Sequence, residues 1–157
     1  MVKLLKLISS IVLCTLAGAL GTVFTISSIP TWYSYLNKPF FSPPNWIFAP
    51  VWTTLYILMG ISFYLIWIKG FKTRKVRDAV NVFGVQLILN AIWSPVFFGY
   101  KNIVLALAII IIMWIYIVKT IRAFLKVDKT AAYLLYPYLA WVSFATILNL
   151  SIWVLNK

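Results

Sequence analysis

Long blocks of apolar residues alternate along the chain with short connections that are basic, polar or rich in proline. Each block approaches the roughly 20 residues that a helix needs to cross the hydrocarbon core of a bilayer. The pattern predicts an all-α membrane protein, a five-transmembrane-helix bundle in a single domain that covers residues 1–157. The predicted helices lie at about 4–29, 48–68, 78–98, 103–125 and 130–154, and a lid at 30–47 joins the first two.

The first apolar block allows two interpretations. It follows two lysines and contains the small residues Ala-Gly-Ala at 17–19, as a signal peptide with its cleavage site would. Its apolar run continues well past Ala19, which favours a membrane span. Small residues also recur at four-residue spacing between Cys14 and Gly21, so a second helix could approach closely, either within the chain or across a homodimer.

The lid at 30–47 is rich in both tryptophan and proline. Its prolines prevent a continuous helix. Residues 32–36 can form a short helix at the membrane interface, where Trp and Tyr are favoured. Each tryptophan of the lid could simply belong to a belt of aromatic residues at the membrane interface. The functional alternative is that the lid covers a ligand pocket. The lid candidates are Trp32, Pro43, Pro44 and Trp46.

Composition supports lipid as the solvent of this chain. Hydrophobic residues make up 64% and charged residues 10%, against about 25% charged in an average soluble domain. With 14 Lys and Arg and two acidic residues, the net charge is +12. Such a balance can indicate nucleic-acid binding, but the basic residues lie in short runs between apolar blocks. We therefore expect no nucleic-acid partner, and anchoring against the anionic headgroups of a lipid bilayer.

The distribution of basic residues predicts the orientation of the helices. Eleven Lys and Arg lie at the N-terminus, in the second-to-third connection and around the fourth-to-fifth connection. The opposite side holds Lys38, Lys101 and Lys157. The positive-inside rule places the N-terminus in the cytoplasm and the lid outside. The membrane would be the cell membrane in a prokaryote and the mitochondrial outer membrane in a eukaryote.

Few groups in the chain suit catalysis or metal binding. There is no histidine, one cysteine (Cys14) and two acidic residues, Asp78 and Asp128, which lie in basic connections where salt bridges explain them. We expect no metal site, no catalytic acid or base and no required cofactor. Cys14 lies within an apolar block, where it serves as a small packing residue.

Polar and aromatic residues at membrane depth are the remaining candidates for a site. Gln86, Asn90, Trp93 and Phe97 share one face of the third helix. Amides are costly in lipid, so this face should point into the bundle. Gln86 and Asn90 could serve only to form hydrogen bonds between helices, which are worth about 1 kcal/mol or less each. The fourth helix lacks strongly polar residues in its core, and we expect it only to pack and to face lipid.

The functional alternative is a shared pocket. Trp52 and Tyr56 lie on one face of the second helix, and Trp141, Ala145 and Leu148 lie on one face of the fifth. Three indoles and an amide that converge beneath the lid would form a flat, apolar pocket for a planar hydrophobic ligand. Without histidine, a porphyrin would be held there by stacking and hydrogen bonds.

Three sequence blocks contain long motifs of aromatic, proline and amide residues. The blocks are Pro43-Pro44-x-Trp46 with Pro50-Val51-Trp52-x-x-Leu55-Tyr56, then Gln86-Leu87-x-Leu89-Asn90-x-x-Trp93-x-Pro95, and Tyr136-Pro137-Tyr138-Leu139-Ala140-Trp141 with Leu148-Asn149. Together with the five predicted spans they cover nearly the whole chain. In this order they resemble the translocator protein or tryptophan-rich sensory protein family (TspO/MBR), also called the peripheral-type benzodiazepine receptor.

The resemblance implies a five-helix bundle, often a homodimer, with a ligand cavity closed by the first loop. Members of the family bind porphyrins such as protoporphyrin IX, isoquinoline and benzodiazepine-type compounds and, in animals, cholesterol. The animal sterol motif requires a tyrosine directly after Asn149, where this chain has Leu150, which argues against sterol binding. The expected ligand-binding residues are Trp52, Tyr56, Gln86, Asn90, Trp93, Phe97, Trp141, Ala145 and Leu148.

Three functions follow as hypotheses. The first is a membrane receptor or carrier for planar hydrophobic ligands, porphyrins above all, in tetrapyrrole transport, sensing or stress response. The second is a light-dependent porphyrin-degrading enzyme that uses Trp52 and Trp141 as redox partners, as the resemblance to some bacterial members implies. The third is a non-catalytic membrane scaffold whose pocket only packs the bundle.

Overall fold

Five stretches long and apolar enough to cross a membrane make up most of the computed structural model, which describes residues 2–157. No strand occurs in that range, so the predicted all-α fold class with five transmembrane helices is confirmed. The helices are α1 Val2–Ser28, α2 Trp32–Tyr35, α3 Phe48–Trp67, α4 Arg74–Ser94, α5 Ile103–Leu125, α6 Lys129–Tyr133 and α7 Tyr136–Leu155.

Helix α4 begins at Arg74, four residues before the predicted start at 78. The three basic residues of the additional turn are exposed, and Arg74 pairs with Asp78 at 3.7 Å, one helical turn further on. A helix that continues beyond the apolar block keeps its backbone hydrogen bonds while its charged side chains reach water. Asp78 therefore lies inside the helix, and a hydropathy pattern alone does not define such an end.

The third predicted helix carries Pro95 near its end, and the structure has a π-helical turn there, Pro95–Gly99. The Tyr100 amide donates to the Pro95 carbonyl at 2.9 Å, five residues back. Wide turns of this kind commonly occur where the regular ladder of a helix is interrupted. This turn buries Val96 and Phe97 against the bundle.

The fifth predicted helix is divided in two. The span as a whole covers Lys129–Leu155, close to the predicted 130–154, but α6 ends at Tyr133 and α7 begins at Tyr136. The physical reason is Pro137, which has no N–H to donate to the Tyr133 carbonyl and whose ring clashes there. Asp128 caps α6 by accepting a hydrogen bond from the Ala131 amide at 3.0 Å.

Helix α1 packs along α3 and α4, α4 packs on α5, and α5 packs on α7. The small residues of α1 serve these internal contacts. A Cβ on Gly18 would overlap the ring of Tyr56, and one on Gly21 would lie 2.6 Å from the Ser94 Cβ. Of the two alternatives for the small-residue pattern, the structure therefore places it against the chain's own helices.

The first half of the lid is held in two places. The buried ring of Tyr33 lies against Phe97 and Phe98, and the Lys38 ammonium lies 4.8 Å above it. Asn156, after α7, accepts from the Asn37 amide and donates to the Asn37 carbonyl, each at 2.9 Å. The connection between α1 and α3 is thereby anchored to the C-terminal end of the bundle.

Candidate ligand cavity

A cavity of about 390 Å³ lies in the half of the bundle next to the lid. Its size falls within the range of about 300–1,000 Å³ that is common for small-molecule sites. Its walls come from α1, α3, α4, α5 and α7, and from the lid. Between α1 and α3 it reaches the outer surface of the bundle, where Thr15, Thr22 and Thr53 are exposed.

Aromatic rings form the largest part of the cavity wall. Trp52 stacks on Tyr56, with ring centroids 5.5 Å apart and planes at 24°. Trp93 stacks on Phe97 in the same way, at 5.2 Å and 21°. Both pairs are four residues apart on one helix, the spacing at which side chains of successive turns meet. Trp141 meets Phe48 edge to face at 6.1 Å.

Two amides organise the polar groups beside these rings. Asn90 accepts from the Tyr56 hydroxyl at 2.7 Å and donates to the Tyr138 hydroxyl at 3.0 Å. Asn149 accepts from the Trp93 indole at 3.3 Å and donates to the Ile103 carbonyl at 3.1 Å. Because buried polar groups are costly without partners, these bonds fix the side chains that present them to the cavity.

The α1 wall is joined to α4 by hydroxyl groups. Thr25 and Ser94 share a hydrogen bond of 2.7 Å, and Ser94 also donates to the Gly21 carbonyl at 3.0 Å. One turn further on, Ser28 donates to the Phe98 carbonyl at 2.7 Å. These hydrogen bonds hold the partly polar α1 face in place as one wall of the cavity.

Eight of the nine predicted ligand-binding residues line this cavity. They are Trp52, Tyr56, Asn90, Trp93, Phe97, Trp141, Ala145 and Leu148. Gln86 does not line it, although it shares a helix face with Asn90. It lies one turn further from the lid, is 1% exposed, and accepts from the Tyr138 hydroxyl at 2.9 Å. Gln86 therefore contacts Tyr138, and not the cavity.

The lid contributes different residues from those predicted. Tyr33 and Asn45 border the cavity, whereas Trp32, Pro43, Pro44 and Trp46 do not. Trp32 packs edge to face on Phe97 at 5.6 Å, and Trp46 is 73% exposed, as an interfacial aromatic residue would be. Burial raises the pKa of the Tyr33 phenol above its ordinary value.

Three residues of the site, two on α5 and one on α7, were not identified from the sequence. Ile110 and Met113 of α5 line the cavity, although that helix was expected only to pack and to face lipid. Their apolar side chains carry no signal that separates a cavity from lipid. Tyr138 connects the two buried amides, Gln86 and Asn90, and here a signal was present, because it lies three residues before Trp141 on the same helical face.

The cavity is nearly neutral and apolar. Among the residues that the structure describes, no charged side chain lines it, and no cluster of His, Cys, Asp or Glu could hold a metal ion. Two buried groups, Trp141 Nε1 and Gln86 Nε2, have no hydrogen-bond partner within residues 2–157. Trp141 also borders an open groove of about 550 Å³ between α3 and α7.

Comparison with known proteins extends over nearly all of the chain. The sequence pattern of the TspO/MBR family matches residues 10–154. The tryptophan-rich protein TspO of Chlorobaculum tepidum is 43% identical over 154 residues, 98% of this chain and 98% of that protein. The protein of the same name from Archaeoglobus fulgidus is 43% identical, over 98% and 99%. The translocator protein of Bos taurus is 40% identical, over 91% and 85%.

Proposed function

The chain belongs to the TspO/MBR family of membrane proteins, and we propose that it is a receptor or carrier that binds planar hydrophobic ligands beneath its lid. Porphyrins such as protoporphyrin IX are the first ligand class, followed by isoquinoline and benzodiazepine-type compounds. The role would be tetrapyrrole transport, sensing or stress response. The name of the bovine relative, translocator protein, fits a carrier.

One observation carries this proposal. Trp52, Trp93 and Trp141 border a single cavity that has no charged lining among the described residues. Indole faces beside a few oriented polar groups are the surface that a flat, apolar ligand matches. Porphyrin binding would rest on stacking and on hydrogen bonds to groups such as Tyr56 and Asn90. No required cofactor is proposed; the porphyrin is the ligand.

The protein is an integral membrane protein with five spans. We propose the orientation given by its charges, with the N-terminus in the cytoplasm and the lid outside. The contact of Lys69 with Asp128 at 3.0 Å supports this, because it joins two of the basic connections at the end of the bundle away from the lid. A homodimer is also proposed; the α1 small residues do not supply its interface, since they contact α3 and α4.

The decisive experiment is a titration with protoporphyrin IX, followed by the absorbance of the porphyrin in detergent. We expect Trp52→Phe/Trp141→Phe to raise the Kd by about tenfold, as two lost indole contacts would. The matched control is Trp67→Phe/Trp153→Phe, which removes two indoles that do not border the cavity and should leave the Kd within about twofold. Equal affinities in the two double variants would show that the site is elsewhere.

Light-dependent breakdown of bound porphyrin is the second candidate, because Trp52 and Trp141, the proposed redox partners, border the same cavity. It predicts loss of porphyrin absorbance on illumination in air that wild type shows and the Trp52→Phe/Trp141→Phe variant lacks. A loss that is equal with and without protein would exclude this activity. The scaffold hypothesis instead predicts that no ligand raises the thermal stability of the folded chain.

A further inference from the structure

Four side chains form a continuous chain of hydrogen bonds that begins at the cavity and ends behind it. The Tyr56 hydroxyl donates to Asn90 Oδ1 at 2.7 Å, Asn90 Nδ2 donates to the Tyr138 hydroxyl at 3.0 Å, and that hydroxyl donates to Gln86 Oε1 at 2.9 Å. Tyr56 and Asn90 line the cavity, whereas Tyr138 and Gln86 are buried behind it. Only the first two can therefore touch a ligand.

The direction of this chain decides what the cavity offers to a ligand. A phenol has a single hydrogen to donate, and an amide presents either its oxygen or its NH₂ group to a given neighbour. In the observed direction the hydrogen of Tyr56 is used on Asn90. Tyr56 consequently presents only its oxygen lone pairs to the cavity and can accept, but not donate, a hydrogen bond.

The same four residues can form the chain in the opposite direction. If both amides turn over, Gln86 donates to Tyr138, Tyr138 donates to Asn90 and Asn90 donates to Tyr56. The number of hydrogen bonds between the four residues is unchanged. The Tyr56 hydrogen then becomes free, and the cavity offers a donor at the position where it offered an acceptor.

Because of Gln86, the two directions leave the same number of buried polar groups unpaired. Its Nε2 group has no partner among the described residues in the observed direction, and its oxygen would take that place in the reverse direction. One buried polar group is thus unpaired in either case, and each costs free energy. The nearby Met113 sulfur, 3.6 Å from the Tyr138 oxygen, is only a weak alternative acceptor.

We infer that Gln86 and Tyr138 are positioning residues that set the hydrogen-bond polarity of the cavity without touching the ligand. A ligand with an N–H donor, such as a pyrrole, stabilises the observed direction. A ligand with a carbonyl or ether oxygen selects the reverse one. The inference rests on the proposed function, because it requires a flat ligand next to Tyr56.

The test uses three flat tricyclic compounds of nearly the same shape, with the full chain in detergent and calorimetry as the readout. Carbazole has an N–H donor, dibenzofuran has an oxygen acceptor, and fluorene has neither. Wild type should bind carbazole more tightly than dibenzofuran. In Gln86→Leu the Tyr138 hydroxyl loses its acceptor, and Asn90 is a stronger alternative than the Met113 sulfur. The reverse direction is then favoured, so the ratio of the carbazole Kd to the dibenzofuran Kd should rise about fivefold, the value of one net hydrogen bond. The Kd of fluorene should stay within about twofold.

Tyr138→Phe interrupts the chain and should also abolish the preference for carbazole. Adding Gln86→Leu to Tyr138→Phe should change the Kd ratio no further, whereas independent effects would add. Phe83→Leu, one turn from Gln86 on α4 and outside the chain, is the matched control and should preserve the wild-type ratio. A ratio that stays unchanged in both Gln86→Leu and Tyr138→Phe, while fluorene still binds, overturns the inference. Failure of wild type to bind protoporphyrin IX would instead overturn the proposed function.

Discussion

The two halves of the bundle use aromatic residues in opposite ways. In the half away from the lid, Phe83 of α4 lies between Phe63 of α3 and Phe124 of α5, at 4.8 Å and 5.8 Å, so the rings stack across helices and fill the centre. In the half next to the lid, Trp52 stacks on Tyr56 of its own helix and Trp93 stacks on Phe97 of its own helix. These rings line walls and leave the space between helices open.

Stacking geometry therefore differs between the filled half of the bundle away from the lid, called the solid half, and the half that contains the cavity, called the hollow half. Rings that stack across helices supply dispersion contacts at the axis of the bundle. Rings that stack along one helix keep their outer faces free for a ligand. Polar contacts differ between the two halves in the same way. In the solid half, Ser62 donates to the Ala131 carbonyl at 2.6 Å and joins α3 to α6. In the hollow half, Tyr56 and Asn90 form their hydrogen bond at the cavity wall.

The largest expected effect is on the stability of the solid half. Phe83→Ala removes a buried ring with aromatic neighbours on both sides and should lower the free energy of unfolding by about 3–5 kcal/mol. Trp52→Ala removes a larger but half-buried side chain at the hollow and should cost clearly less. Unfolding in mixed micelles measures both. If the tryptophan variant proved the less stable of the two, the distinction between the halves would be wrong.

The next effect is at the α1 wall of the cavity. Gly18→Ala would place a methyl group against the ring of Tyr56, which must move away from its position beside Asn90. We expect a loss of about 1–3 kcal/mol in stability and weaker porphyrin binding. Leu16→Ala, on the exposed face of the same helix, is the control and should change neither quantity. Normal ligand affinity in Gly18→Ala would argue against an internal role for the α1 glycine.

The smallest effect is at the basic end of the solid half. Asp128→Ala removes both the cap of α6 and the contact with Lys69, and should cost about 1–2 kcal/mol. Asp128→Asn keeps the cap and loses only the half-exposed ion pair, so it should cost about 0.5 kcal/mol. Thermal unfolding of the three proteins measures the difference. Equal losses in the two variants would show that capping contributes nothing here.

This carboxylate also gives a pH dependence with a definite sign. Burial alone would raise the pKa of Asp128, but the Ala131 amide and the Lys69 ammonium together hold it below its ordinary value. A lowered pKa contributes stability that is complete above the ordinary value and is lost as the pH falls through the folded value. The advantage of wild type over Asp128→Asn should therefore be constant near neutral pH, begin to fall below about pH 4 and disappear once the pH passes the lowered pKa of the folded state.

Much of the fold and of the candidate site is predictable from the chain alone. Five apolar blocks of bilayer length predict five spans because lipid allows no unsatisfied backbone. Helical periodicity placed Asn90, Trp93 and Phe97 on one inward face, and all three line the cavity. Pro95 lies where α4 loses its regular turn, because a missing N–H acts locally and needs no tertiary context.

Only the tertiary structure decided how far each inward-facing residue lies from the lid and which side chain it contacts. Periodicity assigns a residue to a face but not to a layer, so Gln86 and Asn90 look equivalent until Tyr138 comes to lie beside them. Ile110 and Met113 could not be separated from lipid-facing residues, because lipid and the bundle interior are equally apolar solvents for a side chain. The sequence thus determined which faces turn inward, and packing between helices decided which inward residues fill the bundle and which surround a cavity.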